Sequence, residues 1–296
     1  TYGSPYELVR DMKWTYDVMY DMYKDRAFDL NGDDKYTDVD RFGLIGDAYV
    51  PYVLIRGGGI RAFDNEDGKL VLRLSNSTLR ETMLNALDRI CTDYAKVDFL
   101  SHDRTDWTTG DRATVATAIF ANNQALFRFT TFSALFRLLE TKFEFGILPV
   151  PALSEGQDRY YSSCMAGSHE PLSILVNGRT AEDLADAAEM LEIFAYHSRY
   201  YNGTKDSVYE AFYENLAQLR LCQTPLDREM VQLMFRNKTY DIDAALNLVG
   251  VENIIANDCY LNKFSSISTD LESVIETGQY MANLYFKEFE KVCPNK

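Results

Sequence analysis

The chain has 296 residues, of which 46% are hydrophobic and 25% charged, enough to bury a sizeable core; two lobes are expected, and disorder or a collagen-like repeat is excluded. Thirty basic residues against forty-five acidic ones leave a formal net charge of -15, which repels phosphate backbones and anionic headgroups and argues against nucleic-acid and membrane-surface partners. No apolar run approaches the roughly 18 residues of a membrane span, and no charged and then apolar leader follows Thr1, so the chain reads as mature or truncated.

From the amino terminus, Tyr16, Tyr20 and Tyr23 recur at helical spacing and read as core or half-exposed faces. The segment Asp29-Leu30-Asn31-Gly32-Asp33-Asp34-Lys35-Tyr36-Thr37-Asp38-Val39-Asp40 then repeats oxygen donors at alternating positions, as a calcium loop requires. In EF-hand order Asp29, Asn31 and Asp33 are the first ligands, Lys35 offers its carbonyl, Thr37 takes the water or side-chain position and Asp40 closes the loop. Asp34 stands where glycine normally turns the chain, and Asp40 is shorter than the usual bidentate Glu, so any affinity is weak. The alternative is an acidic Asx-turn loop that holds only water; a structural Ca2+ is the one cofactor considered, and none is required.

Asp47-Ala48-Tyr49-Val50-Pro51-Tyr52 mixes a carboxylate with rings around a proline-bearing turn, the combination that meets the hydroxyls and apolar C–H faces of a sugar. Gly57, Gly58 and Gly59 lack a following Lys-Ser/Thr and any GxGxxG spacing, so a tight turn after a helix is expected instead of a phosphate loop. Over residues 78–94, Leu79, Met83, Leu87 and Ile90 form one apolar stripe of a surface helix. Residues 125–129, 145–149 and 172–176 are short apolar runs bounded by turn or polar residues and read as strands. Thr180-Ala181-Glu182-Asp183 opens a helix of about residues 181–198, with Leu184, Ala188, Leu191 and Ala195 on one face. Residues 269–292 form a long, acidic, periodic closing helix.

Cys91, Cys164, Cys222, Cys259 and Cys293 show no CxxC spacing and read as buried thiols. His102, His169 and His197 form no HExxH or i, i+4 pair, so a catalytic metal is not indicated. No GxSxG elbow, Walker sequence or kinase signature occurs. Helices alternate with short strands, without an internal repeat, which indicates an α/β chain.

An ordered series of segments resembles one family. Pro5-Tyr6-Glu7-Leu8-Val9-Arg10-Asp11-Met12-Lys13-Trp14 is similar to its PYELV..GKWTWD opening, and the acidic loop ending Asp40-Arg41-Phe42-Gly43 to its DLNGDGKYDxxDxYG. Gln124-Ala125-Leu126-Phe127 and Phe143-Glu144-Phe145-Gly146-Ile147-Leu148-Pro149 look like its ALF and DFGILPxP strands. Ser198 to Tyr201, Ala211 to Tyr213, Asp227 to Met230 and Tyr240-Asp241 follow its S.Y....AYY....RD.E...M......YD stretch. Across essentially the whole sequence the chain resembles the extracellular solute-binding proteins of ABC importers, of the carbohydrate type related to maltose-binding protein.

That resemblance implies a type II periplasmic-binding-protein-like α/β fold, two lobes joined by hinge segments, with the amino-terminal lobe incomplete in this chain. Residues 1–164 would form the carboxy-terminal-lobe portion, 165–200 a returning segment of the first lobe, and 201–296 a helical region closing the carboxy-terminal lobe. Ligand would be trapped as the lobes close. Asp47 and Tyr49 correspond to an acid and a stacking tyrosine set against the sugar, with Tyr52 in the same turn. The cleft loop Thr131-Phe132-Ser133 has Phe132 where a stacking tryptophan is found in the family, and His169 offers a hydrogen bond at the cleft floor. The implied function is non-enzymatic: reversible capture of a carbohydrate, with an oligosaccharide expected, in an interlobe cleft, and delivery to permease subunits by an extracellular monomer anchored through an upstream lipidated cysteine that this chain does not contain. The alternatives are a receptor for a non-sugar solute such as a peptide, and a glycan-active hydrolase, which needs two carboxyl groups roughly 5–10 Å apart across one cleft.

Overall fold

The computed structural model describes residues 2–67, 69–101, 112–139, 143–164, 174–204, 207–260 and 267–292. Two short helices, α1 (Pro5–Arg10) and α2 (Tyr16–Tyr23), lead into strand β1 (Phe42–Gly46). Helix α3 (Val50–Gly57), the hairpin β2 (Phe63–Glu66) and β3 (Lys69–Leu72), and α4 (Ser77–Tyr94) precede β4 (Phe99–Ser101). Helix α5 (Arg112–Ala121) connects to β5 (Ala125–Arg128). The three strands form a parallel sheet of order β4-β1-β5, in which Leu44 pairs with Phe99 on one side and with Phe127 on the other.

Every residue of β1 is buried, as expected of a central parallel strand covered on both faces. Leu44 belongs to the main core with Trp14, Met19, Leu54, Leu87 and Ile90, whereas Ile45 packs with Leu100, Ala116 and Ile119 under α5. Gly43 lets α2 close onto the sheet: a Cβ there would lie 2.1 Å from the Tyr23 carbonyl oxygen.

The second half of the chain folds back on this unit. Strand β6 (Ser162–Cys164) pairs in parallel with β7 (Lys238–Tyr240), which lies between α7 (Pro225–Arg236) and α8 (Ile242–Leu246). Helices α9 (Val251–Tyr260) and α10 (Ile267–Val292) complete the core through Ile255, Leu271 and Ala282. Gln279 of α10 joins the hairpin by accepting the Leu72 N–H at 2.8 Å and donating to the Leu70 carbonyl at 3.2 Å.

Helix α6 (Ala181–Tyr200) starts at the predicted capping box, with the Thr180 hydroxyl accepting the Asp183 N–H at 3.2 Å. None of its residues is buried. Phe194 is 61% and Tyr196 60% exposed, although the apolar face of an amphipathic helix ordinarily packs on a core.

Two of the three expected strands differ. Residues 145–149 are extended but unpaired, because their amides bond to side chains: Phe145 N–H donates to Gln223 Oε1 and Ile147 N–H to Asp227 Oδ1, each at 2.9 Å. Leu172 and Ser173 lie outside the described residues, and 174–176 form no strand, with Leu175 76% exposed. The helix predicted over 78–94 is α4, begun by Asn76, whose side chain accepts the Leu79 N–H. Cys91 and Cys222 are buried and Cys164 is half-buried; the side chains of Cys259 and Cys293 lie outside the described residues.

Candidate functional site

Ligands of open parallel α/β sheets bind where loops leave the carboxyl ends of the strands. Here β1 ends at Gly46 and β5 at Arg128, with Ile45 opposite Arg128, so residues 47–49 and 129–133 leave the sheet side by side. The Phe129 N–H donates to the Ile45 carbonyl at 2.8 Å and fastens the second loop to the first. Asp47 Oδ1 accepts the Tyr49 N–H at 3.0 Å, an Asx turn that starts α3 with Tyr49 half-buried at its N-cap. The Thr131 and Ser133 hydroxyls, both exposed, lie 3.0 Å apart at the start of the 3-10 helix Phe132–Leu138. Asp47, Tyr49, Thr131, Phe132 and Ser133 are thus placed along one edge.

Tyr52 does not join them. A helix that begins at Val50 turns residue 52 inward, where it is 6% exposed and donates its hydroxyl to Asp241 Oδ2 at 2.8 Å. Burial first, and then the Asp241 charge, raise its pKa. The Arg56 guanidinium reaches the same carboxylate at 3.3 Å. Beside it, burial raises the pKa of Asp243, whose carboxylate accepts the N–H groups of Val249 and Val251, and of Glu252, helped by Asp241 and Asp243. Tyr52 therefore pins α3 to α8, which corrects its assignment to the sugar-facing turn. His169 lies outside the described residues.

The acidic loop is closed on its own amides. Asp40, 0% exposed, accepts the Leu30 N–H at 2.9 Å and the Thr37 N–H at 2.8 Å. Asp29 accepts the N–H groups of Gly32 and Asp34, Asn31 that of Asp33, and Asp33 that of Lys35. Asp34 adopts a φ of 59°, the left-handed geometry that glycine would supply. Among the described residues, no group of three or more acidic, histidine or cysteine side chains is arranged as a set of metal donors.

Beyond Phe132 lies an open groove of about 850 Å³, walled by Arg199 at the end of α6, by Tyr209, Phe212 and Tyr213 at the start of the π-helix Glu210–Arg220, and by Phe235 and Arg236 of α7. Its rings are in contact: Tyr209 and Tyr213 have centroids 5.0 Å apart, and Tyr213 and Phe235 4.9 Å. The 3-10 helix joins them through Phe132 and Phe235 at 5.2 Å and Phe136 and Phe212 at 6.4 Å. The guanidinium of Arg199 lies 4.7 Å from the Tyr209 ring centroid. The sequence reading assigns no site role to these groove residues. The signal present was the Tyr209, Phe212, Tyr213 cluster, whose helical spacing reads as an ordinary packed face.

No protein-family model matches the chain, and comparison with curated proteins finds no match. Solved structures do match. The maltose/maltodextrin-binding domain from Bdellovibrio bacteriovorus bound to maltotriose superposes with a TM-score of 0.51 at 15% identity, over 93% of this chain and 67% of that one. A cyclo/maltodextrin-binding protein complexed with maltotetraose gives 0.54 at 11%, over 90% and 64%, and the Thermus thermophilus maltotriose-binding protein bound to maltotriose gives 0.50 at 15%, over 90% and 65%. The chain spans about two thirds of the length of these proteins. Among the described residues no helix is long and apolar enough to cross a membrane. The chain has the α/β fold of the maltodextrin-binding, type II periplasmic-binding-protein-like structures, represented over about two thirds of their length.

Proposed function

We propose that the chain is the ligand-binding part of a solute receptor of an ABC importer, which holds an oligosaccharide reversibly between lobes and presents it to permease subunits. The observation that carries this reading is the pairing of Asp47 and Tyr49 with the Phe132 loop at the carboxyl edge of the parallel sheet. It occurs in a fold whose solved neighbours hold maltotriose or maltotetraose. Aromatic planes pack on apolar sugar faces while carboxylate and hydroxyl groups orient the sugar hydroxyls. Tyr49 and Phe132 supply the planes, and Asp47, Thr131 and Ser133 the polar contacts, with His169 adding a hydrogen bond from the returning segment. Capture and release then make and break no covalent bond, so no catalytic residue is assigned. The receptor works outside the membrane as a monomer, held there by a lipidated cysteine upstream of this sequence. Calcium in the 29–40 loop is an optional structural element of the same proposal.

A thermal-shift screen against oligosaccharides, peptides and amino acids tests the reading, because a ligand bound only to the folded state raises the melting temperature by mass action. A rise with one class of glycan, recovered intact by chromatography, supports it. A response to peptides alone gives a receptor for another solute, and a cleaved glycan gives a hydrolase.

A further inference from the structure

We propose that the groove between the end of α6 and α7 selects anionic saccharides, whose uronate or sulfate group pairs with Arg199, Arg236 and Lys238 while the sugar ring lies on Tyr209, Tyr213 and Phe235. This rests on the carbohydrate reading above and adds the charge of the ligand. The chain as a whole carries a formal charge of -15, yet the groove is lined by these three cations against the single carboxylate of Glu214. Elsewhere on the surface, cations sit beside acids: Arg10 on Glu229, Lys24 on Asp21, Arg73 on Asp64 and Lys96 on Asp93. Arg199, Arg236 and Lys238 form no ion pair among the described residues.

Two of these charges, on Arg199 and Lys238, are held by rings instead. The Arg199 guanidinium lies over Tyr209, and the Lys238 ammonium lies 5.0 Å from the Phe235 ring centroid. A cation over an aromatic face is held by the ring without an ion-pair partner, and the one acid of the groove, Glu214, bonds to the Tyr209 hydroxyl. A neutral sugar offers these cations only hydroxyls, whereas a carboxylate or sulfate offers charge-assisted, bidentate bonds to arginine.

The test is calorimetric titration of the 296-residue chain with three oligosaccharides of equal length: a neutral maltooligosaccharide, a galacturonate oligomer and a sulfated oligomer. The expected result is at least tenfold tighter binding of one or both anionic sugars than of the neutral one, with the gap closing as salt rises from about 50 to about 500 mM. Replacing exposed Arg199 and Lys238 together, as Arg199→Gln and Lys238→Gln, with the fold checked by circular dichroism, is expected to erase the difference between neutral and anionic sugars. Equal affinity for all three sugars in the unaltered chain overturns charge selection and leaves the carbohydrate reading standing. Binding of none of them overturns both, and a preference that survives the double substitution overturns the assignment to this groove.

Discussion

Phe132 and Phe235 meet edge-on, with centroids 5.2 Å apart and ring planes at 80°. That contact makes the loop after β5 and helix α7 two sides of one boundary, with the Asp47–Tyr49 turn on one side and the aromatic groove on the other. An extended saccharide laid across the boundary meets aromatic faces along its length, so the loss of a single ring is expected to weaken binding without abolishing it.

Tyr49 and Tyr52 separate binding from stability. Tyr49→Ala is expected to weaken oligosaccharide binding at least tenfold, about 1.4 kcal/mol, with little change in melting temperature, because its side chain makes no capping bond to α3. Tyr52→Phe, which removes the buried bond to Asp241, is expected to cost about 1–2 kcal/mol in denaturant unfolding and to leave the affinity ratio among sugars unchanged. The reverse pattern would move the binding surface to the interior face of α3.

Asp40 fixes the acidic loop through two backbone amides. Asp40→Ala strands both N–H groups and is expected to lower stability by about 2 kcal/mol or more. Chemical denaturation run in calcium and in chelator decides what holds the loop. Equal losses in both show that its own hydrogen bonds suffice, and a loss confined to calcium shows an ion closing it.

Glu252 carries a pH prediction. Burial, then Asp241 and Asp243, raise its folded pKa above the ordinary 4.5, so the folded state binds this proton more tightly than the unfolded chain. The cost of ionising it is absent below 4.5 and grows as pH rises through the folded pKa. Glu252→Gln is therefore expected to raise the melting temperature at neutral pH and to change it little below the ordinary carboxylate value. Stabilisation of the same size at both pH values would assign the effect to packing.

Helix α6 is expected to contribute little to the stability of this chain. Phe194→Ser, at a residue 61% exposed, should leave unfolding nearly unchanged, whereas Leu87→Ala, at a residue 0% exposed, should cost about 2–5 kcal/mol. A large loss at Phe194 would show that this face is covered in solution.

Local patterns carried much of the fold into the sequence. The Thr180 capping box, the stripe of Met83, Leu87 and Ile90, and the tight turn at Gly58 and Gly59 each rest on interactions within a few residues, and each forms as expected. Residues 145–149 were misread because a strand and an extended segment share the same apolar pattern. Only the distant Gln223 and Asp227 decide that their amides bond to side chains. Tyr52 was misread for a related reason: its inward turn depends on where α3 begins and on Asp241, 189 positions away. The groove was hidden because Arg199, Tyr213 and Phe235 come from three separate elements and meet only in the folded chain.

The most direct test of the central claim is calorimetric titration of the chain with an oligosaccharide panel, repeated on Tyr49→Ala. Saturable binding of a glycan that is recovered intact, weakened at least tenfold by the substitution, is the predicted result. Absence of binding to every glycan, or binding that Tyr49→Ala leaves untouched, would contradict a carbohydrate site at the carboxyl edge of β1 and β5.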